Sequence, residues 1–481
     1  MLSVFTNLIP LCACWVLRTQ GMSAHLMDIP TGRCADPSPS SASGPELNET
    51  QQRDVIARVT WRLMPLLFLS YVIAYIDRIN VGFAKLHFRE ALGVELSVFD
   101  NVYGFGAGLF FIGYFLFEVP SNLILQRVGA RVWIARIMIV WGLVSICFMF
   151  MKSVTTFYVM RFLLGAAEAG FFPGVLLYLT YWYPAKERAR TIAYFALGGV
   201  MAGVVGSPVS GAILKMDGAL GIAGWQWLFL LEGIPAVLIG LVVLWVLPNG
   251  PQGVSWLSDR EKAWIQTRLG EEANVAGAGQ THRLRDVFTS GRVWLLCLIY
   301  FLLNVGAYGF EMWLPTIVKE FSGLDDFAVG LINAVPYLLA GVAMLLVGRH
   351  SDRTGERRGH VAASAFGAAV GFVLAAYFKN PWLAMASLAI AFAGLKSTLG
   401  PFWAMTTAFL TGTAAAGGIA LINSVGNLGG YFGPRLVGMI KTQTGSNFAA
   451  LLLLAGALLG MGLFALLVPV RKSAGVGPGK E

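Results

Sequence analysis

Long apolar runs alternate with short polar segments along most of the chain. Each run holds about twenty residues, the number that an α-helix needs to cross a bilayer core of ~30 Å. The first six runs lie near residues 62–84, 101–125, 132–151, 156–180, 190–214 and 226–248. Six more lie near residues 293–317, 328–348, 361–378, 382–406, 416–440 and 446–469. The pattern predicts twelve membrane-spanning helices in two sets of six.

The polar segments divide the chain further. The segment 249–292 separates the two sets and is typical of an amphipathic linker. The first 50 residues differ from the rest, with an apolar stretch at 1–17 and a Pro/Ser-rich tract at 36–44. We interpret them as a disordered extension or as residues upstream of the true start, with an extra helix as the alternative. The predicted boundaries are an extension over 1–52, a six-helix bundle over 53–248, the linker over 249–292, a second bundle over 293–470 and a tail over 471–481.

Basic residues in the loops indicate the orientation. If the first span starts in the cytoplasm, the inside loops hold 15 Lys and Arg residues and the outside loops hold 7. Cytoplasmic loops of membrane proteins carry the excess of Lys and Arg. We therefore expect both termini and the linker to be cytoplasmic.

Composition excludes several classes of protein. Of the 481 residues, 56% are hydrophobic and 13% are charged, whereas soluble domains carry about 25% charged residues. The net charge of +9 does not indicate nucleic-acid binding, because 22 of the 35 Lys and Arg residues lie in the loops and the linker between the apolar runs. The five cysteines form no CxxC pair and no cluster with the five histidines, so we expect no metal and no cofactor. The sequence contains no phosphate loop, dinucleotide motif or Ser/His/Asp set, so an enzyme or an ATP-driven pump is not expected.

An internal repeat supports the division into halves. The loop after the second run reads NLILQRVGAR over 122–131, and the loop after the eighth reads GRHSDRTGERR over 348–358. Similar basic turns at equivalent positions of two six-helix sets indicate a duplicated bundle. The candidate gating residues in these turns are Arg127, Gly129, Arg131, Asp352, Arg353 and Gly355.

The second turn resembles the signature loop of the major facilitator superfamily, G-x-x-x-D-R-x-G-R-R, and the first is a degenerate copy. The stretches YIDRINVG at 75–82, FEVPSN at 117–122 and RFLLGAAEAGFFP at 161–173 are similar to the anion:cation symporters. Two more, GPFWA at 400–404 and GTAAAGGIALINS at 412–424, resemble the tartrate and phthalate permease branch. The resemblance implies an all-α polytopic membrane protein with twelve helices in two pseudo-symmetric halves. We expect a multi-pass monomer in the bacterial inner membrane.

Four ionisable residues lie inside apolar runs of the first bundle, where an unpaired charge is costly. Asp77 and Arg78 are neighbours in span 1 and point about 100° apart around the helix, so they cannot simply pair. Arg161 and Glu168 lie on nearly one face of span 4, about 10 Å apart along its axis, which leaves space for a ligand or a partner from span 1. The alternative is that another helix neutralises each charge and that the four residues only stabilise the bundle.

The chemistry of these side chains suits anion transport. A guanidinium binds a carboxylate bidentately and stays charged in a dry cavity. A buried acid is protonated more easily than an exposed one, and it can load and release a proton near neutral pH. The family resemblance implies that Arg78 and Arg161 lie near the substrate carboxylate and that Asp77 and Glu168 carry protons.

The second bundle contributes further candidates for substrate binding. Asn423 and Asn427 lie four residues apart on span 11 and suit hydroxyl groups, but such residues also mediate close helix packing. Lys396 lies deep in span 10 and is either a further cation for a dianion or a side chain that reaches an interface. Trp403 and Tyr308 are candidate ring contacts for an organic acid, although membrane aromatic residues often lie at interfaces or in packing contacts.

Other intramembrane charges are interpreted differently. Glu118, Glu232 and the loop pair Asp352/Arg353 are expected to brace helix ends and to lock the inward or outward state. Glu311 and Arg435 depart from the pattern of the permease branch, and we expect them to form pairs or to tune the substrate. The stretch GVVGSPVSG at 203–211 resembles an antiporter motif only in part.

We expect a secondary transporter that imports an organic carboxylate by proton symport, with two halves that rock around a central site. Its partners would be the carboxylate, protons and the lipid bilayer. Tartrate, phthalate, a hydroxyphenylacetate and a sugar acid all remain open as substrates. Anion exchange or drug efflux by the same fold is the alternative, favoured if uptake were insensitive to collapse of the proton gradient. A membrane receptor is less consistent with a linker this short.

Overall fold

The computed structural model describes residues 47–278, 288–409 and 413–469. Within these ranges every regular element is a helix. Eleven helical stretches, two of which join two consecutive α-helices, are long and apolar enough to cross a membrane. The predicted tail, and all but the last six residues of the predicted extension, lie outside the described residues.

The first half of the bundle consists of seven α-helices among these residues. They are α1 (Glu49–Ala84), α2 (Leu96–Val128), α3 (Ala130–Cys147), α4 (Val154–Glu168), α5 (Phe171–Thr180), α6 (Ala185–Leu214) and α7 (Gly224–Val246). Short 3-10 helices lie at Phe148–Phe150, Ala219–Gly221 and Pro251–Gly253. In the described part of the predicted linker the longest helix is α8 (Asp259–Ala278).

The second half contains nine α-helices in the described ranges. They are α9 (Gly291–Glu311), α10 (Leu314–Ser322), α11 (Asp326–Thr354), α12 (Arg358–Tyr377), α13 (Pro381–Ser397), α14 (Leu399–Phe409), α15 (Thr413–Asn427), α16 (Gly429–Thr444) and α17 (Asn447–Leu466).

The first helix begins earlier than its hydropathy predicts. The Asn48 side chain accepts a hydrogen bond from the backbone N–H of Gln51 at 2.8 Å, and the Gln51 side chain accepts one from the backbone N–H of Asn48 at 3.1 Å. This capping box satisfies two free N–H groups and defines the start of α1 at Glu49. A polar cap, and not the start of the apolar run, therefore sets this end.

Four predicted spans are each broken into two helices. The fourth span is interrupted before Phe171, where Gly170 has a φ of +87°, a conformation that costs glycine little. The seventh, tenth and eleventh spans are interrupted near Met312, Thr398 and Leu428. The run predicted over 416–440 is therefore not one continuous helix. Its two helices have 15 and 16 residues, so neither reaches the length of a full span.

The two halves meet along two seams. In the first half α3 packs on α7 and α1 on α6, while in the second half α12 packs on α17 and α13. The seams are formed by α2 against α16 and by α6 against α11. We name the end of the bundle that carries α8 the linker end, and the end that carries the turn 85–95 the far end.

Candidate functional site

An ion pair between Arg78 and Glu168 lies inside the bundle. Arg78 lies on α1 and is 8% exposed, and Glu168 is the last residue of α4 and is 2% exposed. The partner from span 1 that the spacing of Arg161 and Glu168 allowed is therefore Arg78. The pair joins two of the four candidate residues of the first bundle.

Arg161 on α4 is fully buried and has no acidic partner among the residues that the structure describes. One Nη donates to the carbonyl oxygen of Ala107 at 3.1 Å, and its Nε has no hydrogen-bond partner within the described chain. The Cζ atoms of Arg161 and Arg78 lie 5.1 and 5.3 Å from the centroid of one ring, that of Phe110. Two guanidinium groups thus share one aromatic ring, and only one of them is ion-paired in this part of the chain.

Asp77 points away from Arg78, as the helical geometry predicts. Its carboxylate accepts hydrogen bonds from Trp141 Nε1 at 2.8 Å, Ser145 Oγ at 2.9 Å and Asn80 Nδ2 at 3.3 Å. It is 1% exposed and forms no ion pair with any residue in the described ranges. Three neutral donors therefore hold a buried carboxyl group next to the Arg78 pair.

The second half contains its own ion pair, between Lys396 on α13 and Glu311 at the end of α9. The Tyr75 hydroxyl of α1 donates to Glu311 Oε2 at 2.6 Å, and Lys396 Nζ donates to the Tyr75 oxygen at 3.1 Å. Lys396 is buried and does not reach an interface. The sequence did not single out Tyr75 as a site residue. The Lys396–Glu311 pair had a signal in the sequence, because both residues are ionisable and lie inside apolar runs of the same half.

Tyr308 on α9 lies beside the first pair. Its hydroxyl oxygen accepts a hydrogen bond from Arg78 Nη1 at 3.0 Å, and its ring centroid lies 4.4 Å from that of Phe111. Tyr75 and Tyr308 therefore connect the ion pairs of the two halves. The structure brings Tyr308 and Lys396 to the same region as Arg78 and Glu168.

Asn423 on α15 is hydrogen-bonded to a carboxylate of the protein itself. Asn423 Nδ2 and Ser424 Oγ donate to the two oxygens of Glu118 on α2, at 2.6 and 3.0 Å. Glu118 is 3% exposed. It therefore links the two halves, which goes beyond the predicted bracing of one helix end.

The remaining candidates lie in other surroundings. Trp403 packs against Tyr300 and Phe402, with ring centroids 5.1 and 5.4 Å apart. Asn427 is half-buried next to the break between α15 and α16. Arg435 stacks 5.0 Å from the Phe105 ring centroid and donates to the Tyr431 hydroxyl. Glu232 accepts from Ser210 Oγ at 2.6 Å.

The two repeated turns have similar braces. In the first, Gly129 has a φ of +95°, and the Arg131 side chain donates to the Leu244 carbonyl of α7. In the second, Gly355 has a φ of +67°, and Arg358 donates to the Leu466 carbonyl of α17 at 3.2 Å. Each turn is thus tied to the last helix of its own half.

The charged residues of these turns differ in their contacts. Asp352 pairs with Arg357 at 2.6 Å, whereas its sequence neighbour Arg353 is exposed, as is Arg127 in the first turn. In the described residues Asp352 therefore forms its ion pair with Arg357 and not with Arg353. Across the described residues, no group of three or more His, Cys, Asp or Glu side chains is placed to hold a metal ion.

Comparison with known proteins identifies relatives and a shared fold. The profile described as Major Facilitator Superfamily matches residues 67–434 and 322–481. A protein of Agrobacterium vitis named "Putative tartrate transporter" is 47% identical over 412 residues, which cover 86% of this chain and 90% of that protein. A "Quinolone resistance transporter" of Acinetobacter baumannii is 44% identical over 409 residues, which cover 84% of this chain and 92% of that protein.

The comparison extends to solved structures. The inward open conformation of the xylose transporter XylE from E. coli superposes with a TM-score of 0.70 at 16% identity. The match covers 87% of this chain and 98% of that one. At this identity the likeness concerns the fold alone, and it confirms the predicted all-α polytopic fold.

Proposed function

The chain belongs to the Major Facilitator Superfamily, as its sequence predicts, and we propose that it imports an organic carboxylate by proton symport. It is a multi-pass membrane transporter of the tartrate permease branch. In the proposal, the substrate binds between the halves, which alternate between opening at the far end and opening at the linker end.

The buried guanidinium of Arg161 carries this proposal. A charge removed from water without an opposite charge destabilises a protein by several kcal/mol. The Phe110 ring offsets only part of that penalty, since a cation over an aromatic face gains about 0.5–2 kcal/mol. Glu168 attracts Arg161 from a distance but is itself paired with Arg78, so an anionic substrate supplies the charge that Arg161 lacks. A planar carboxylate also matches the two parallel N–H groups of a guanidinium.

Proton coupling is assigned to Asp77 and Glu168. Glu168 forms an ion pair with Arg78, so a substrate that binds Arg78 competes with Glu168. A carboxylate displaced into a dry site takes up a proton, because its charged form is no longer compensated. Asp77 is a second buried acid, and no cation pairs with it in the described part of the chain.

The orientation in the membrane and the oligomeric state are also proposed. The linker end and both termini face the cytoplasm of a bacterial inner membrane, in agreement with the loop charges. The protein works as a monomer. Fusions of a reporter to the linker and to the turn 85–95 test the orientation, and the opposite result at both sites contradicts it.

Replacement of Arg161 tests the anion site. Arg161→Lys keeps the charge but removes the planar fork. We expect tartrate affinity in purified protein to fall at least about tenfold, because a hydrogen bond to a charged group contributes about 1.5–3 kcal/mol. The control is Arg136→Lys on α3, where an exposed guanidinium stacks 4.3 Å from the Trp133 ring centroid. Equal affinity of the Arg161→Lys and wild-type proteins for every carboxylate tested contradicts the assignment.

Neutral acid variants test the coupling. Asp77→Asn and Glu168→Gln keep the shape of the side chain and remove the titrating group. We expect equilibrium exchange to persist and uptake driven by a pH gradient in proteoliposomes to fail. Glu320→Gln is the control, since Glu320 pairs with Lys441 and Asn447 and contacts neither Asp77 nor Glu168 in the described residues. Full accumulation in both test variants removes these acids from the coupling.

Exchange or drug efflux remains the second candidate. The relative named for quinolone resistance favours it, at 44% identity over most of both chains. Proteoliposomes without internal substrate distinguish symport from exchange. Under a pH gradient a symporter accumulates labelled anion until a protonophore collapses the gradient, whereas an exchanger takes up labelled anion only when unlabelled anion is inside.

A further inference from the structure

The ion pairs of the two halves occupy equivalent positions with the charges exchanged. In the first half the cation, Arg78, lies on the first helix, and the acid, Glu168, ends the helix before the break in the fourth span. In the second half the acid, Glu311, ends α9, the first helix. The cation, Lys396, lies one residue before the end of α13, also before the break in the fourth span.

The two pairs are connected across the interface between the halves. Tyr75 of the first half contacts both members of the second pair, and Tyr308 of the second half contacts Arg78. The Arg78 Cζ lies 5.7 Å and the Lys396 Nζ 5.3 Å from the centroid of the Tyr75 ring. Because both distances end at one point, the two cations lie within about 11 Å of each other.

A small diacid is long enough to span this upper limit. From standard bond lengths, the carboxyl carbons of an extended four-carbon diacid are about 4 Å apart. Each carboxyl carbon lies about 3.5–4 Å from a cation at hydrogen-bond distance. Such a molecule can therefore contact both cations even if they lie about 11 Å apart, the largest separation that their two distances to the Tyr75 ring permit. A short monocarboxylate contacts one of them only.

The surroundings of Glu311 determine how its charge is compensated when Lys396 changes partner. Lys396 from α13 is its only ion-pair partner among the described residues. Tyr75 from α1, Tyr308 from its own helix and Tyr337 from α11 are its other titratable neighbours, and phenols are neutral near neutral pH. The Glu311 side chain is fully buried. Without Lys396, its negative charge has no compensation here.

We propose that Lys396 binds the second carboxylate of a dicarboxylate substrate and that Glu311, displaced from Lys396, takes up one proton for it. This inference rests on the proposed function, since it assumes that the first carboxylate binds the arginines. Charge and protons balance in this step. The substrate carboxylate brings one negative charge to Lys396, one proton from the aqueous phase neutralises Glu311, and no covalent bond in the substrate changes. On release, the Glu311 O–H gives its proton to the opposite aqueous phase and the ion pair forms again.

The test compares diacids with a monoacid in the purified full-length protein. Tartrate, malate and phthalate are the diacids, and glycerate is the monoacid. Wild-type protein should bind at least one diacid at least about tenfold more tightly than glycerate, the ratio expected for one charge-assisted contact. Lys396→Met should remove most of that preference. In proteoliposomes, Glu311→Gln should lower the number of protons carried per diacid by one, measured from the gradients at which net flux is zero.

A double variant separates binding from folding. A single change leaves one buried charge unpaired and can reduce folding, whereas Glu311→Gln/Lys396→Met leaves a neutral pair. If the double variant folds and keeps the wild-type diacid preference, the inference is wrong. Equal binding of all four acids by the wild type also overturns it, and the proposed function then still stands if that binding depends on Arg161. Loss of that dependence refutes the proposed function instead.

Discussion

The far end and the linker end hold the two halves together by different kinds of contact. At the far end, glycines bring the helices into backbone contact. A Cβ atom at Gly104 of α2 would lie 2.5 Å from the Pro434 carbonyl oxygen of α16. A Cβ atom at Gly211 of α6 would lie 2.4 Å from the Asp326 carbonyl oxygen of α11. Both seams are therefore closed there.

Toward the linker end the same seams are looser. The α2 seam continues through the side chain of Glu118, which holds Asn423 and Ser424 of α15. Along the other seam α1, α6 and α11 line an apolar groove of about 520 Å³. Thr60 of α1 and Leu345 of α11 are among its lining residues.

The difference indicates how each end can open. Backbone contacts of glycines cannot be relieved by a change of rotamer, so a closed far end must separate as a whole. The Glu118 contact depends on two hydrogen bonds and can break locally. This asymmetry is what the proposed rocking of two halves requires, with the far end closed in this state.

The largest effect is expected at the glycine seam. Gly104→Leu places a side chain where the Pro434 carbonyl lies, so the far end can no longer close. We expect uptake in proteoliposomes to fall to background. Gly456→Leu on α17 is the control, because nothing lies within 4 Å of a Cβ atom there. Normal uptake by Gly104→Leu means that this seam need not close during transport.

A smaller effect is expected at the linker side. Glu118→Ala removes two hydrogen bonds, each worth about 0.5–3 kcal/mol, so the linker end should open more often, by about tenfold. Spin labels at the exposed positions 127 and 353, one in each half, report the distance between the halves. We expect the longer distances to gain population, and an unchanged distribution contradicts a latch at Glu118.

We expect closure of the far end to depend moderately on pH, because of Lys85 in the far-end turn. Burial lowers the pKa of its ammonium group to about 8, with Asp100 attracting and Lys441 repelling the charge. Its Nζ also donates to Thr316 of the second half, so opening should expose it and return the pKa toward about 10.4. Lys85 then binds its proton less tightly when the far end is closed than when it is open. Closure should therefore be favoured as the pH rises from about 8 to 10 and disfavoured below 8.

Fluorescent labels on either side of the far-end seam test this dependence between pH 7 and pH 10. Lys85→Met should remove it, because the titrating group is absent. If the variant keeps the same pH dependence as the wild type, another group is responsible.

The smallest effect is expected at the rim of the far end. Lys215 Nζ lies 3.5 Å from Asp325 across the seam, with the two side chains 54% and 63% exposed. Exposed pairs of this kind contribute about 0–1 kcal/mol. Lys215→Ala should change the uptake rate less than about threefold. A larger loss means that the rim, and not the glycine seam, controls closure.

The spans illustrate what hydropathy can and cannot predict. The helix α7 occupies Gly224–Val246, close to the predicted run 226–248, because apolar length is a local property of the chain. The breaks at Gly170 and Leu428 were not predicted. An apolar run continues through an interruption of the backbone hydrogen bonds, so composition alone does not reveal it.

For the site, the sequence alone identified the charged residues that need an explanation, because the penalty for burying a charge follows from the residue type and its depth in a run. Only the tertiary structure decided their partners. Arg78 pairs with Glu168, 90 positions away, while its neighbour Asp77 binds Trp141 and Ser145. Pairing depends on which helices are neighbours and on the rotation of each about its axis, and these are properties of the packed bundle that no local pattern encodes.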